Sequence, residues 1–181
     1  TGKTVTVNSI TLADGSNGGL AANYSISTGQ TTTANVTAKA LTVSGITASN
    51  KVYDSTTNAT TVLSFSGLIG SETINNTNSS TFDNKNIGTG KTVTVNSLTL
   101  VDGSNGGLAS NYSISSGQTT TANVSARPLT VSNISASNKS YDGTTAVTLD
   151  TSNVSYNGLV SGDDFSGSFS GVFANENIGT G

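Results

Sequence analysis

The chain repeats itself, and that constrains everything it can fold into. Residues 1–54 align with residues 89–142 at a shift of 88, and 44 of those 54 positions are identical. The ten differences are mild, as in Ile10/Leu98, Thr37/Ser125 and Lys39/Arg127. After Asp142 the second copy carries three more residues, and from Gly67/Gly158 onward the shift is 91. Phe82 then matches Phe173, and Ile87-Gly88-Thr89-Gly90 matches Ile178-Gly179-Thr180-Gly181, whose last two residues open a third copy. A period of about 90 residues is too long for a solenoid coil and suits one small β domain.

Domain boundaries need not coincide with the start of the period. Ala38-Lys39-Ala40 and its counterpart Ala126-Arg127-Pro128 read as linkers, and the only Pro sits there ahead of an apolar strand. Pro holds the preceding residue extended and makes a semi-rigid joint. One complete domain is therefore expected over 40–127. Residues 1–39 form the C-terminal half of a preceding domain, and residues 128–181 the N-terminal half of a following one.

Composition decides between a folded repeat and a disordered one. Thr, Ser, Asn and Gly number 31, 29, 21 and 21 of 181 residues, with 33% hydrophobic and 9% charged. Disordered chains are usually rich in Pro, Glu or Lys and strongly charged. This chain has one Pro and a net charge of −3. Thr, Val, Ile and Tyr favour strands, while Asn, Gly, Ser and Asp favour turns, so an all-β fold is expected. No segment carries the 3.6-residue apolar spacing of a long helix.

The same composition excludes function classes. Without His or Cys there is no imidazole base, no thiol nucleophile, no ordinary zinc or haem site and no disulfide. An enzyme is not expected. Seven scattered basic residues do not make a phosphate-binding surface, so no nucleic-acid partner is expected. No apolar run reaches the ~18 residues of a membrane span. The chain opens at Thr1 without a leader, as a fragment of a longer protein would.

A strand map follows from the alternations. Leu41-Thr42-Val43 starts a strand whose phase breaks at Ser44-Gly45, Ser132-Asn133 in the second copy. Gly or Asn there suits a bulge or kink. Asp142-Gly143 before Thr144-Thr145 reads as a tight turn. Short strands are expected around Thr61–Phe65 and Glu72–Ile74. Lys91–Leu100 is the clearest strand, with Val93 and Val95 on one face and Leu98 and Leu100 in opposite phase across Asn96-Ser97. Thr120, Ala122 and Val124 share a face of the last strand. About seven strands with frequent turns predict a β-sandwich. Asp102-Gly103, then Tyr112 and Ile114, is similar to the tyrosine corner of immunoglobulin-like domains, where the hydroxyl bonds back to the loop backbone. Tyr24 and Ile26 repeat the arrangement.

Several segments occur in the order of a known repeat. They are Lys139–Thr145 (K-x-Y-D-G-T-T), Gly162-Asp163-Asp164, Phe82–Thr94 (F-D-N-K-N-I-G-T-G-K-T-V-T), Asn111-Tyr112-Ser113-Ile114 and Thr121–Val131 (T-A-N-V-S-A-R-P-L-T-V). Across essentially its whole length the chain resembles YDG-type repeats and the related MBG-type repeats. Such modules stand in tandem in very long bacterial surface and secreted proteins, including filamentous-haemagglutinin-like adhesins. The first copy departs from the pattern. Ser55 replaces the motif Gly, and Gly70-Ser71-Glu72 stands where Gly162-Asp163-Asp164 stands later. Substitution between neighbouring copies favours a structural role for these positions. The resemblance implies tandem immunoglobulin-like β-sandwich repeats, an extracellular location and a stalk or filament role. It implies no enzymatic activity.

Each candidate chemistry in the chain has a plain structural counterpart. Asp163-Asp164 with nearby Ser and Gly oxygens could serve Ca2+, but no Asp-x-Asp-x-Asp-Gly loop is present, and a solvated turn is the simpler reading. Lys91 and Lys139 are the candidate donors for a Lys–Asn or Lys–Asp isopeptide crosslink, which needs a buried Lys beside a proton-handling acid. Their turn-residue neighbours imply exposed lysines instead. Tyr53, Tyr141 and Tyr156 could stack on sugars, or pack a turn against the end of the domain. The Thr-x-Thr pair at Thr92 and Thr94 lacks the dense regular spacing of an ice-binding face. Gly88-Thr89-Gly90-Lys91 opens a strand pattern, whereas a phosphate loop opens a helix. Asn-x-Ser/Thr triplets such as Asn35-Val36-Thr37 follow from composition. No catalytic, cofactor-binding or metal-binding residue is assigned.

The expected function is therefore structural: a segment of a bacterial extracellular stalk, adhesin shaft or filament. Its expected partners are neighbouring repeats or identical subunits head-to-tail, with a host or matrix surface contacted at a distant tip. A glycan- or host-protein-binding adhesin module and a biofilm-matrix fibre subunit are the alternatives. The two half-domains should meet, directly or across copies, to complete one sandwich.

Overall fold

A computed structural model describes residues 2–179. Its regular structure is almost entirely β. The first half holds β1 (Lys3–Thr6), β2 (Thr31–Ala34), β3 (Lys39–Ala40), β4 (Thr42–Ala48), β5 (Lys51–Val52), β6 (Asn58–Ala59), β7 (Thr61–Ser66) and β8 (Ile74–Phe82). Then come β9 (Gly88–Asp102), β10 (Tyr112–Ser113), β11 (Thr119–Ser125), β12 (Thr130–Ser132), β13 (Ser135–Ala136), β14 (Leu149–Asp150) and β15 (Ser155–Asn157). Helix among the described residues is limited to two 3-10 turns, Ala21–Asn23 and Ala109–Asn111. The only sheet of more than two strands runs β5-β11-β9-β8-β6 among the described residues. The chain divides into two compact units, and β4, β7, β8 and β9 contribute residues to both.

The first unit comprises residues 1–44, 65–77 and 98–115. Its β1 and β2 form an antiparallel ribbon with Lys3 opposite Ala34 and Val5 opposite Thr32. No side chain from 2 to 40 is buried. The buried residues of this unit belong to the next segments. β3 lies parallel to β10, Tyr112 against Lys39 and Ser113 against Ala40. The Leu41 N–H extends that pairing to the Ser113 carbonyl at 2.8 Å. Leu41 and Tyr112 are both buried. The loop after β9 is pinned by Asp102, whose carboxylate accepts the Ala109 N–H at 2.7 Å. Asp14 does the same for Ala21 at 2.6 Å. Gly107 lets this loop lie directly on Thr73, because a Cβ there would stand 1.9 Å from the Thr73 carbonyl oxygen.

The second unit comprises residues 45–64, 78–97 and 116–181. Its core is Phe82, Val93, Ala122 and Val124, with Ala48, Tyr53 and Ala59 packed against it. Val93 and Val95 are fully buried. β11 runs antiparallel to β9, with Thr120 opposite Val93 and Ala122 opposite Lys91. The register shifts between Ala122 and Val124. Asn123 occupies that bulge and fills it with polar bonds. Its side-chain oxygen accepts the Gly90 N–H at 2.8 Å, and its own N–H reaches Asn50 at 2.7 Å. Past the bulge β11 turns to pair in parallel with β5, Val124 against Lys51. Residues 130–157 form only two short ribbons, β12–β15 and β13–β14, and no residue from 125 to 179 is buried.

The expected strands are present, with instructive differences. β9 is longer at both ends than Lys91–Leu100, and its phase changes across Asn96-Ser97 as the sequence predicts. The short strand expected at Glu72–Ile74 is instead the nine-residue β8 beginning at Ile74. Its inward row is Ile74, Asn76, Asn78, Ser80 and Phe82, too polar to register as a strand by apolar alternation. The buried hydroxyls are satisfied locally. The Thr61 hydroxyl lies 2.7 Å from that of Ser80 and donates to the Asn78 carbonyl oxygen at 2.8 Å. The kink at Ser44-Gly45 takes different forms in the two copies. β4 runs through it as one strand with its phase changed, while Asn133 adopts φ 64° and separates β12 from β13.

Candidate functional site

The corner built by the K-x-Y-D-x-T-T segment holds the densest polar cluster. Asp54 ends the chain reversal by accepting both the Thr56 N–H and the Thr56 hydroxyl at 2.9 Å. This is an Asx-type turn, which short acidic side chains favour. The turn brings Lys51 back over it. Lys51 Nζ lies 2.7 Å from the Asp54 carboxylate and donates to the carbonyls of Thr56 and Asn58 at 2.8 and 3.1 Å. It also stands 5.7 Å above the buried Phe82 ring, so the ammonium is held by oxygens on one side and a π face on the other.

The second copy rebuilds the Lys–Asp–Thr core of the corner. Lys139 Nζ lies 2.7 Å from Asp142 and 2.7 Å from the Thr144 carbonyl, and 5.6 Å over Phe173. Asp142 again accepts the N–H and hydroxyl of the Thr two residues on, at 2.9 and 2.8 Å. The Lys ammonium first, then the Thr N–H and hydroxyl, pull both carboxyls down to about 2. Gly143 sits at φ 71° in this turn, and Ser55 takes the same left-handed conformation at φ 63°. The expected tight turn is present in both copies.

This cluster stabilises a bend. Its Lys ammonium and Asp carboxylate bond to other atoms of the bend, and in the second copy the bend borders a groove of about 640 Å³ beside Asn138, Lys139, Tyr141 and Phe173. Lys139, a candidate crosslink donor, is committed to Asp142 and Thr144. Lys91 departs from the expectation of an exposed lysine, because its side chain is only 8% exposed. Its Nζ lies 2.7 Å from Asp83 and 2.9 Å from the Asn84 side-chain oxygen. The hydrogen bond from Lys91 holds the Asp83 carboxyl below the usual carboxylate range, with the Asn84 N–H adding to it. The turn residues that implied exposure, Asp83 and Asn84, are the ones that hold this side chain.

The remaining candidates are dispersed. Asp163 is half-buried and Asp164 exposed. No group of three acidic, His or Cys side chains placed to hold a metal occurs among the described residues. Tyr53 packs on the core and Tyr156 packs on Phe165, ring centroids 6.2 Å apart, whereas Tyr141 is exposed. Gly88-Thr89-Gly90 lies within β9.

Tyr112 makes a bond the sequence did not identify. Its hydroxyl accepts the Ile69 N–H at 3.1 Å and donates to the Glu72 carboxylate. The partner loop is thus 69–72, far upstream, and not the Asp102–Leu108 loop that a tyrosine corner would use. The bond to Glu72 raises the Tyr112 pKa above its ordinary value. Tyr24, its counterpart, is 70% exposed.

Comparison with known families locates a YDG domain twice, over residues 37–122 and again over 125–181. Neither the curated proteins nor the solved structures provide a match.

Proposed function

The chain belongs to the YDG domain family, and on that premise we propose that it is a structural tandem-repeat segment of a bacterial extracellular stalk, adhesin shaft or filament. Each module of about 90 residues is read as a curled, immunoglobulin-like β-sandwich. Half-modules complete one another head-to-tail. The observation carrying this reading is the recurrence of the same bend in successive copies, Lys51-Asp54-Thr56 and Lys139-Asp142-Thr144, with equal distances. Geometry that repeats once per module and spends its polar groups on holding a bend is what an extended array requires.

The mechanism is mechanical. A small Val/Phe core fixes each module, an uncharged Thr/Ser/Asn face meets water, and short linkers limit bending. Strands of about ten residues span roughly 33 Å, so each module adds a few nanometres of reach. Electron micrographs of a polypeptide carrying many such repeats test this. Straight beaded fibres with that spacing are expected, and compact particles would refute it. Glycan-array binding by the 40–127 module would instead favour a lectin-like adhesin.

A further inference from the structure

We infer that the complete module is built to carry tension along the chain, and that the Lys51–Thr56 bend anchors the strand on which the load falls. The inference rests on the tandem-repeat reading and adds a function to it. The array resists being pulled apart, besides setting a length.

In a tandem array each module hangs between its two linkers, so a pull enters at residues 38–40 and leaves at 126–128. The contacts that tie the first strands to the last must resist it. Two pairings do so among the described residues, and both are parallel. β3 lies against β10, Lys39 against Tyr112, and the Leu41 N–H meets the Ser113 carbonyl at 2.8 Å. β5 lies against β11, Lys51 against Val124, and the Tyr53 N–H meets the Ser125 carbonyl at 2.9 Å. In each pair the early strand is drawn towards its own N-terminus and the late strand towards its own C-terminus. Parallel strands loaded this way slide lengthwise, so the bonds between them are stretched together. Had the same strands been antiparallel, both pulls would act at one end of the pair and open it bond by bond. Strand direction is therefore what lets two short pairings hold.

The β5–β11 pair is reinforced on both sides. The Asn50 side-chain oxygen accepts the Asn123 N–H at 2.7 Å, one residue beyond the ladder. Asn123 in turn accepts the Gly90 N–H at 2.8 Å, which ties β11 to β9 at its bulge. On the other side, the Lys51 ammonium is fixed to Asp54 and to the carbonyls of Thr56 and Asn58. Asn58 opens β6, which pairs with β8 at Thr81. Tyr53 packs on the core around Phe82 and Val93. β5 has only two residues, and it cannot slide without breaking these bonds. The lysine, tyrosine and aspartate of the K-x-Y-D segment thus anchor the loaded strand to the rest of its unit.

The chain has no Cys, so a pair of introduced cysteines is the sole attachment for handles in an optical trap. Ala38→Cys with Ala126→Cys loads the full 181-residue chain from linker to linker. Ser49→Cys with Ser116→Cys draws β5 and β11 from their N-terminal ends and peels them apart. All four side chains are exposed. At one loading rate the first pair should unfold at the higher force. It should release about 30 nm of chain, at about 3.5 Å per residue, less the folded separation of the handles. Asn50→Ala alters an exposed side chain and removes one bond under load. Across the first pair it should speed unfolding at constant force about fivefold. Ser79→Ala removes a hydroxyl pair with Ser97 that lies outside both pairings, and should leave that rate unchanged. Circular dichroism of the unloaded chain should be the same for both variants. An equal or lower force across the first pair overturns the inference, as does an Asn50→Ala rate no faster than that of Ser79→Ala. If that occurs while micrographs of long arrays show beaded fibres, the failure falls on the tension-bearing pairs alone. Compact arrays would sink the structural reading itself.

Discussion

Ser55 is the most informative single residue. The motif Gly at this position becomes Ser in the first copy, yet the backbone stays left-handed at φ 63°. That conformation costs a non-glycine residue about 1–2 kcal/mol. Part of the gain from restoring glycine is offset by the greater freedom of the unfolded chain. Ser55→Gly should therefore raise stability by up to about 1 kcal/mol in urea unfolding of the dilute chain. The carboxylates beside it set an acid limit. Asp54 and Asp142 lie near 2 when folded, against 3.8 unperturbed. A depressed pKa contributes stability that is present above pH 3.8 and lost as pH falls through about 2. Unfolding midpoints should hold steady down to about pH 4 and drop towards pH 2. Asp54→Asn should lower the midpoint at neutral pH and flatten that drop. Both carboxylates are about half exposed, so solvent screening keeps the effect modest.

At the scale of the element, β9 and β8 contrast. β9 carries Val93 and Val95 at 0% exposure, and its Thr-Val alternation announces them. Val93→Ala removes two methyl groups from the centre of the Phe82–Val124 cluster. It should cost about 1.5–3 kcal/mol, read from the urea midpoint with an unchanged slope. β8 points Asn78 and Ser80 inward, where the Thr61 hydroxyl meets them. Its apolar residues, Ile74 and Phe82, stand only at its two ends. Nothing in the spacing between them marks a strand, because its partners are hydroxyls on β7. Lys91, a turn neighbour in the sequence, is only 8% exposed, with its ammonium held by Asp83 and Asn84.

Across the whole molecule, burial is confined to the middle. Every buried side chain among the described residues lies between Leu41 and Val124. Amide exchange in dilute solution should be slowest in β9 and β11 and faster by orders of magnitude in residues 2–39 and 128–179, measured peptide by peptide by mass spectrometry. Equal protection along the chain would contradict this distribution of cores.

Much of this architecture is local, and local sequence determined it. The sequence repeat, the all-β class, the phase change in β9 and the Asp-centred turns all follow from residue order. Strand alternation and turn chemistry act over a few residues, and a sequence displays them directly. What only the tertiary structure decided is pairing between distant segments. Tyr112 bonds to Ile69 and Glu72 some 40 positions upstream, and β8 buries polar side chains against Thr61. Those contacts depend on which strands come together, and hydrogen bonding between remote segments leaves no periodic trace in either one.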